Sequence, residues 1–317
     1  MRQISVWLLL SAAIAFVSPV SAQPHHVIGN IYFVGSSHGA YLMTTPEGHI
    51  LLDTGFAVVH DVVVSNVQEL GFDVRDIRII LSSHAHSDHV GGHAAMKQLT
   101  GAQVVALGAD AAALEAGPNF PPVEVDRVIQ DGDIVTLGGM TLSALWVPGH
   151  TQGATMWLTT VQEGGDTYSV LTRGGEIPNE GVPLFNNPSY PMIVEDTLWT
   201  LYRLKRRPPP DLVLHNHPQN LGRPLNPTLP VNASCTFCLD AEAWTDLVER
   251  VDATFKERLQ EAGGQANQEA HDRTLKGFQR GDETIIQGAH LLLIPRTIAY
   301  TQHIRGSPPG RLFPCLI

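Results

Sequence analysis

Cysteine is scarce in this chain: Cys235, Cys238 and Cys315 are the three present among 317 residues. So few, and an odd number, excludes a disulfide scaffold, and at most one bridge can form. Cys235-x-x-Cys238 resembles half a zinc site or a redox pair, but no two further ligands stand at suitable spacing, so one disulfide or buried thiols is expected. Cationic charge is also short, with 20 Lys and Arg against 31 Asp and Glu, a net charge of -11. That leaves no basic footprint for a phosphate backbone, so nucleic acid is not an expected partner and a small molecule is. Long apolar runs are missing too, apart from Ile4 to Val17. That run is shorter than the roughly 20 residues a bilayer requires, follows Arg2, and leads to the small-residue pattern Val20-Ser21-Ala22. Residues 1–22 therefore read as a secretory signal cleaved after Ala22, and the mature protein is expected to be periplasmic or secreted, with no membrane contact.

Histidine is abundant, at 15 residues, and the 43% apolar content suffices for a sizeable core. From His26 to Gly55, short apolar alternations broken by Gly35, Gly39 and Pro46-Glu47-Gly48 predict antiparallel strands, with Ile50 to Asp53 a buried one. Helical spacing over Val58 to Leu70 precedes a strand at Ile77 to Leu81. Ala94 to Leu99 and Asp110 to Ala116 read as helices around a strand at Val104 to Leu107. Val128 to Val170 reads as a meander of short strands, with Thr141 to Val147 and Ala154 to Thr160 at its centre. Pro191 to Lys205 is predicted helical, Asp211 to Leu214 a strand, and Ala241 to Ala262 the longest amphipathic helix. Strands with helices, twice over, predict an α/β fold of two face-to-face sheets with helices outside, a four-layered αββα sandwich. The expected organisation is a signal at 1–22, one α/β domain at 23–262, and a peripheral tail at 263–317, where the apolar period fails.

The chemical signal is His84-Ala85-His86-Ser87-Asp88-His89, directly after a predicted buried strand. Four ligand-type side chains in six residues, at a strand end, point to a metal site. In a turn His84 and His86 converge on one ion while Asp88 and His89 face a second, which suggests two metals.

These residues resemble the metallo-β-lactamase superfamily, whose hallmark is H-x-H-x-D-H after a strand, and the resemblance spans about residues 27 to 262. Asp53-Thr54-Gly55, Pro148-Gly149-His150-Thr151 and His215-Asn216-His217-Pro218 look like its further site turns. The third subclass of zinc β-lactamases is the nearest match, judged by the His150 turn with Gly153 and Trp157, by Tyr190-Pro191 with Glu195-Asp196, and by His217-Pro218. The resemblance implies two Zn²⁺, the first on His84, His86 and His150, the second on Asp88, His89 and His217, with Asp53 behind them. It implies that a hydroxide bridging the ions, oriented by Asp88, attacks a β-lactam amide, an activity associated with antibiotic resistance. Arg173, Glu176, His38 and His215 are candidate substrate contacts, and His93 is a further histidine near the motif.

The chain departs from that subclass at Thr172-Arg173-Gly174-Gly175-Glu176, where a polar turn with Ser residues is usual. Glyoxalase-type thioesterases, which carry a bridging Asp in this region, fit less well because no Asp occurs between Leu171 and Ile193. Alternatives are a dizinc hydrolase of another carbonyl substrate such as a lactone, a mononuclear iron oxidoreductase on the same fold, and a non-catalytic binding module.

Overall fold

A computed structural model describes residues 23–215, 217 and 241–279, with side chains from 244 to 263 in the last segment. The signal, the three cysteines, Pro218 and most of the tail lie outside the described residues. Seven strands form the first sheet in chain order: β1 (His25–Ile28), β2 (Ile31–Phe33), β3 (Tyr41–Thr45), β4 (Gly48–Leu52), β5 (Ile77–Leu81), β6 (Gln103–Leu107) and β7 (Arg127–Ile129). β1 to β4 are antiparallel neighbours, and β4 to β7 run parallel. The second sheet has β8 (Ile134–Leu137), β9 (Met140–Trp146), β10 (Thr155–Glu163) and β11 (Asp166–Arg173) antiparallel in sequence, with β12 (Leu212–His215) added parallel to β11.

Side-chain alternation explains the layers. In β3 and β4, Tyr41, Met43, Ile50 and Leu52 face the second sheet, while Leu42 and Leu51 face the opposite way. In the second sheet Leu142, Ala144, Trp157, Val170 and Leu212 fill the same central core, whereas Leu145, Met156, Leu171 and Val213 point outward. Both faces of both sheets are thus apolar and must be covered. Helices α1 (His60–Glu69), α3 (His93–Thr100) and α4 (Gly108–Ala116) cover the first sheet through Val63, Val67, Met96 and Leu114. Helices α5 (Ile193–Arg206) and α6 (Ala241–Gln279) cover the second through Leu204, Trp244, Leu247 and Val248. The predicted αββα sandwich is the observed one.

Three details differ from the sequence expectation. β7 pairs with β6 in the first sheet and does not join the following meander. Residues Ser87–Val90 form a helical turn, α2, so Asp88 and His89 sit on a helix start. α6 continues past Ala262 through Gly263 and Gly264 to Gln279.

Candidate metal centre

Every candidate ligand lies at the ends of strands where the two sheets meet the same rim, beyond the carboxyl ends of β4, β5, β9, β11 and β12. The loop after β5 carries His84 and His86, and α2 follows it. Its backbone is tied to the second sheet, because Trp157 Nε1 donates to the Ser82 carbonyl (3.0 Å) and the Thr155 N–H to that of Ser83 (2.7 Å). Tyr41 reaches across from the first sheet and donates its hydroxyl to the His215 carbonyl (2.8 Å). These three bonds fix the relative positions of ligand loops from different sheets.

The Gly149 backbone stands at φ +134°, and a Cβ there would lie 2.5 Å from Thr197 Oγ1. Only glycine lets the His150 turn approach α5 this closely. Thr200 Oγ1 donates to the Pro148 carbonyl (2.6 Å), and Tyr190 donates its hydroxyl to buried Asp196 (2.8 Å) beside the same turn.

His84, His86 and His150 form one donor group. His150 Nε2 lies 3.1 Å from His84 Nε2 and 3.1 Å from His86 Nδ1. Donors on a tetrahedral ion with ligand distances of about 2.0–2.1 Å stand about 3.3 Å apart, so these separations fit a shared zinc. His150 Nδ1 donates to the Ile177 carbonyl (2.8 Å), which turns the Nε2 lone pair inward. Burial, then His86, pushes the His150 pKa down to about 3, and burial holds His84 well below its usual value. Both are neutral donors at pH 7.

Asp88, His89 and His217 form an adjoining group with the same spacing. Asp88 Oδ2 lies 3.2 Å from His89 Nε2 and 3.3 Å from His217 Nε2, and the two nitrogens are 3.1 Å apart. Behind His89, Asp53 accepts from Nδ1 (2.9 Å) and from the Ser83 N–H and hydroxyl (2.7 and 2.6 Å). Asp53 holds φ +58°, a rarely used conformation for a residue with a side chain, which aims its carboxylate at this corner. Burial lowers the His89 pKa, but bonds to Asp53 and Asp88 outweigh it and raise the value to about 9. Burial raises that of Asp88, and hydrogen bonds from His217 and His89 more than reverse this, holding the carboxylate well below its usual range.

Of the other candidates, His38 places Nε2 3.8 Å from Asp88 Oδ2. His215 is buried, and its Nδ1 accepts the His217 N–H (2.7 Å), which shapes the loop that presents His217. Arg173 and Glu176 are both buried and paired with each other through Nε to Oε1 (2.6 Å) and a second, shorter contact. His93 is fully buried between Thr54 Oγ1 (2.8 Å) and Ser82 Oγ (3.0 Å), supporting the loop from behind. A cavity of about 870 Å³ opens onto His84, His150, His215 and His217, with Arg173 and Glu176 in its wall.

Two features escaped the sequence reading. Buried Asp110, on α4, accepts from the Ala85 N–H (2.8 Å), the Gly153 N–H (2.8 Å) and Thr151 Oγ1 (2.8 Å), joining the His84–His86 loop to the His150 turn. An acidic residue in a helix's first turn is commonplace, so nothing in the sequence singles it out. Gly174 and Gly175 pack on the site: a Cβ at 174 would lie 2.8 Å from Ser83 Cβ, and one at 175 would lie 2.6 Å from the His150 ring. The turn that departs from the subclass pattern is therefore a close-packed wall with no room for serine at 174.

A sequence profile described as the metallo-β-lactamase superfamily matches residues 34–159. The structure of BJP-1, a subclass B3 metallo-β-lactamase of Bradyrhizobium japonicum, is 34% identical and superposes with a TM-score of 0.71 over 76% of this chain and 94% of that one. The chain belongs to the metallo-β-lactamase superfamily. Within the superfamily, the β-lactamase from Chitinophaga pinensis is 33% identical, TM-score 0.70, covering 80% of this chain and 100% of that one. Among curated proteins, hydroxyacylglutathione hydrolase of Maricaulis maris is 31% identical over 93 residues, 29% of this chain and 32% of that protein. The chain spans only about a quarter to a third of the length of such curated relatives. The superfamily and the relatives it matches are metallo-hydrolases, and the chain's histidine-rich groups could hold a metal ion.

Proposed function

We propose that the protein is a dizinc hydrolase that opens the amide of a β-lactam. The observation that carries the reading is the pair of adjoining three-donor groups, with separations of 3.1 Å to His150 in the first and 3.1–3.3 Å in the second, which meet one cavity through His84, His150 and His217. His84, His86 and His150 would hold one ion, and Asp88, His89 and His217 the other. Bound zinc supplies a polarised carbonyl and a water acidified toward neutral pH. Around it, Asp53 keeps the His89 ring turned so that Nε2 faces the site. Asp88, ionised and in contact with His89 and His217, would be the acceptor that orients the attacking water's proton. The Ile177 carbonyl fixes the His150 tautomer. The wall at Arg173 and Glu176 presents a buried ion pair in place of a free cation, so a substrate carboxylate finds a neutralised partner there. β-Lactam turnover is accordingly expected to be weak.

The short matches to hydroxyacylglutathione hydrolases favour a second reading, hydrolysis of a thioester or related carbonyl ester at the same metals. Against it stands Arg173, with Glu176, in the region where such enzymes place a bridging Asp. Zinc-loaded protein assayed on nitrocefin, a carbapenem, a lactone and a glutathione thioester decides between them. The β-lactam reading requires the highest kcat/KM on a β-lactam; a thioester or lactone preferred by tenfold or more overturns it. One iron per chain, with neither activity, would support the oxidoreductase alternative.

Export follows from the segment at 1–22, and we place the mature enzyme in the periplasm or outside the cell. Among the described residues no helix is long and apolar enough to cross a membrane. Periplasmic protein beginning at Gln23 is the expected result of N-terminal sequencing; cytoplasmic protein retaining Met1 would contradict it.

A further inference from the structure

We propose that His38 is a fourth protein ligand of the second metal position, closing it from the loop between β2 and β3. The inference rests on the dizinc reading above. Ligand atoms of His38, Asp88 and His217 lie within 4.8 Å of one another. His38 Nε2 stands 3.8 Å from Asp88 Oδ2, and its ring meets that of His217 edge-on at 4.8 Å and 81°. The Asp88, His89 and His217 donors describe one face of a tetrahedron. His38 approaches from the side of Asp88 and His217: its Nε2 is about half an ångström farther from Asp88 than donors on a shared ion stand, and its donor lies within 4.8 Å of that of His217.

The opposite ring nitrogen is arranged as a metal-bound histidine's would be. His38 Nδ1 is 3.0 Å from Ser37 Oγ, which fixes the ring and leaves Nε2 directed at the cluster. The loop itself is built. Gly35 doubles back so tightly that a Cβ would lie 2.2 Å from the His38 carbonyl oxygen. The Ser36 N–H donates to that same oxygen (3.1 Å), and buried Asn66 of α1 donates to the carbonyls of Val34 (3.0 Å) and Gly35 (2.8 Å). Phe56 braces the ring edge-on at 4.9 Å.

Four protein donors fill a tetrahedral zinc site, whereas three leave a position open. The second position would therefore hold its ion more tightly than three donors allow. The first position, with three histidines, would keep its open place.

The test is metal binding. Wild type, His38→Ala and Ser37→Ala are titrated with zinc against a chromophoric chelator, and the cobalt-loaded forms are compared by visible absorption. His38→Ala should weaken the second ion by about tenfold to a hundredfold, leave the first within twofold, and shift the cobalt bands; Ser37→Ala should produce a smaller loss of the same ion. Unchanged first-ion affinity reports that the variants fold. Two ions of unchanged affinity in His38→Ala, with a superimposable cobalt spectrum, would overturn the role of His38 and leave the dizinc reading intact. Fewer than two ions in wild type would sink that reading and the inference with it.

Discussion

The two donor groups differ in how charge is distributed behind them. The first, His84, His86 and His150, is built of neutral imidazoles gathered from both sheets, and burial suppresses protonation of His84 and His150. The second contains a carboxylate, Asp88, backs His89 with another, Asp53, and holds a proton on His89 to a pH of about 9. A cation entering the first group displaces little; one entering the second must displace a proton. Equal spacing thus conceals unequal chemistry, and the metal-free protein should respond to pH and to substitution differently at the two positions.

The sharpest way to break the comparison is His150→Ala, which removes the histidine on which both 3.1 Å separations of the first group converge. Losing several kcal/mol of charge stabilisation should lower kcat/KM by about a thousandfold while the second ion is retained; turnover within tenfold of wild type would contradict this. Asp53→Ala acts on the other side. It frees His89 Nδ1 and two Ser83 donors, and should weaken the second ion by about tenfold to a hundredfold with the first unaffected, as read by zinc titration. Gly175→Ala places a methyl group against the His150 ring at a left-handed φ of +92°. It should cost about 1–3 kcal/mol in thermal or urea unfolding and loosen the first ion more than the second.

The smallest expected effect is on the metal-free protein's pH profile. His84, His93, His150 and His215 all sit below the ordinary 6.5, His93 at about 4 and His150 at about 3. The unfolded chain therefore binds protons that the fold refuses, and stability falls as pH drops below 6.5. Burial raises Asp196 to about 6 and raises Asp110 too, which works the opposite way on this limb, but these are two carboxyls against seven lowered imidazoles, since His25, His38 and His86 are lowered as well. His89 is raised, so its contribution is complete below 6.5 and is lost as pH rises to about 9. Urea unfolding without metal should show a maximum near pH 6.5, and zinc should flatten the acid side. A stability that rises steadily from pH 6.5 to 9 would contradict the assignment of His89.

Much of this was legible in the sequence because its signals are local. The six proposed ligands come in three short motifs, and the alternation in segments such as Tyr41-Leu42-Met43 marks strands buried on both faces. β7 was misplaced because its partner β6 is some twenty residues earlier, and three residues carry no periodicity that could name a sheet. The apolar period fails after Ala262, yet α6 passes through Gly263 and Gly264. Asp110, the Arg173–Glu176 pair and the packing of Gly174 and Gly175 depend on chain segments brought together only by folding. His38 stands alone in its loop, so its approach to Asp88 has no sequence signature.

The most direct test of the central claim is anomalous scattering at the zinc edge from crystals of the zinc-dialysed protein, paired with metal analysis of the same sample. Two zinc ions per chain are predicted, one among His84, His86 and His150 and one among Asp88, His89 and His217. A single ion, or two ions whose peaks fall outside these donor sets, would contradict the account.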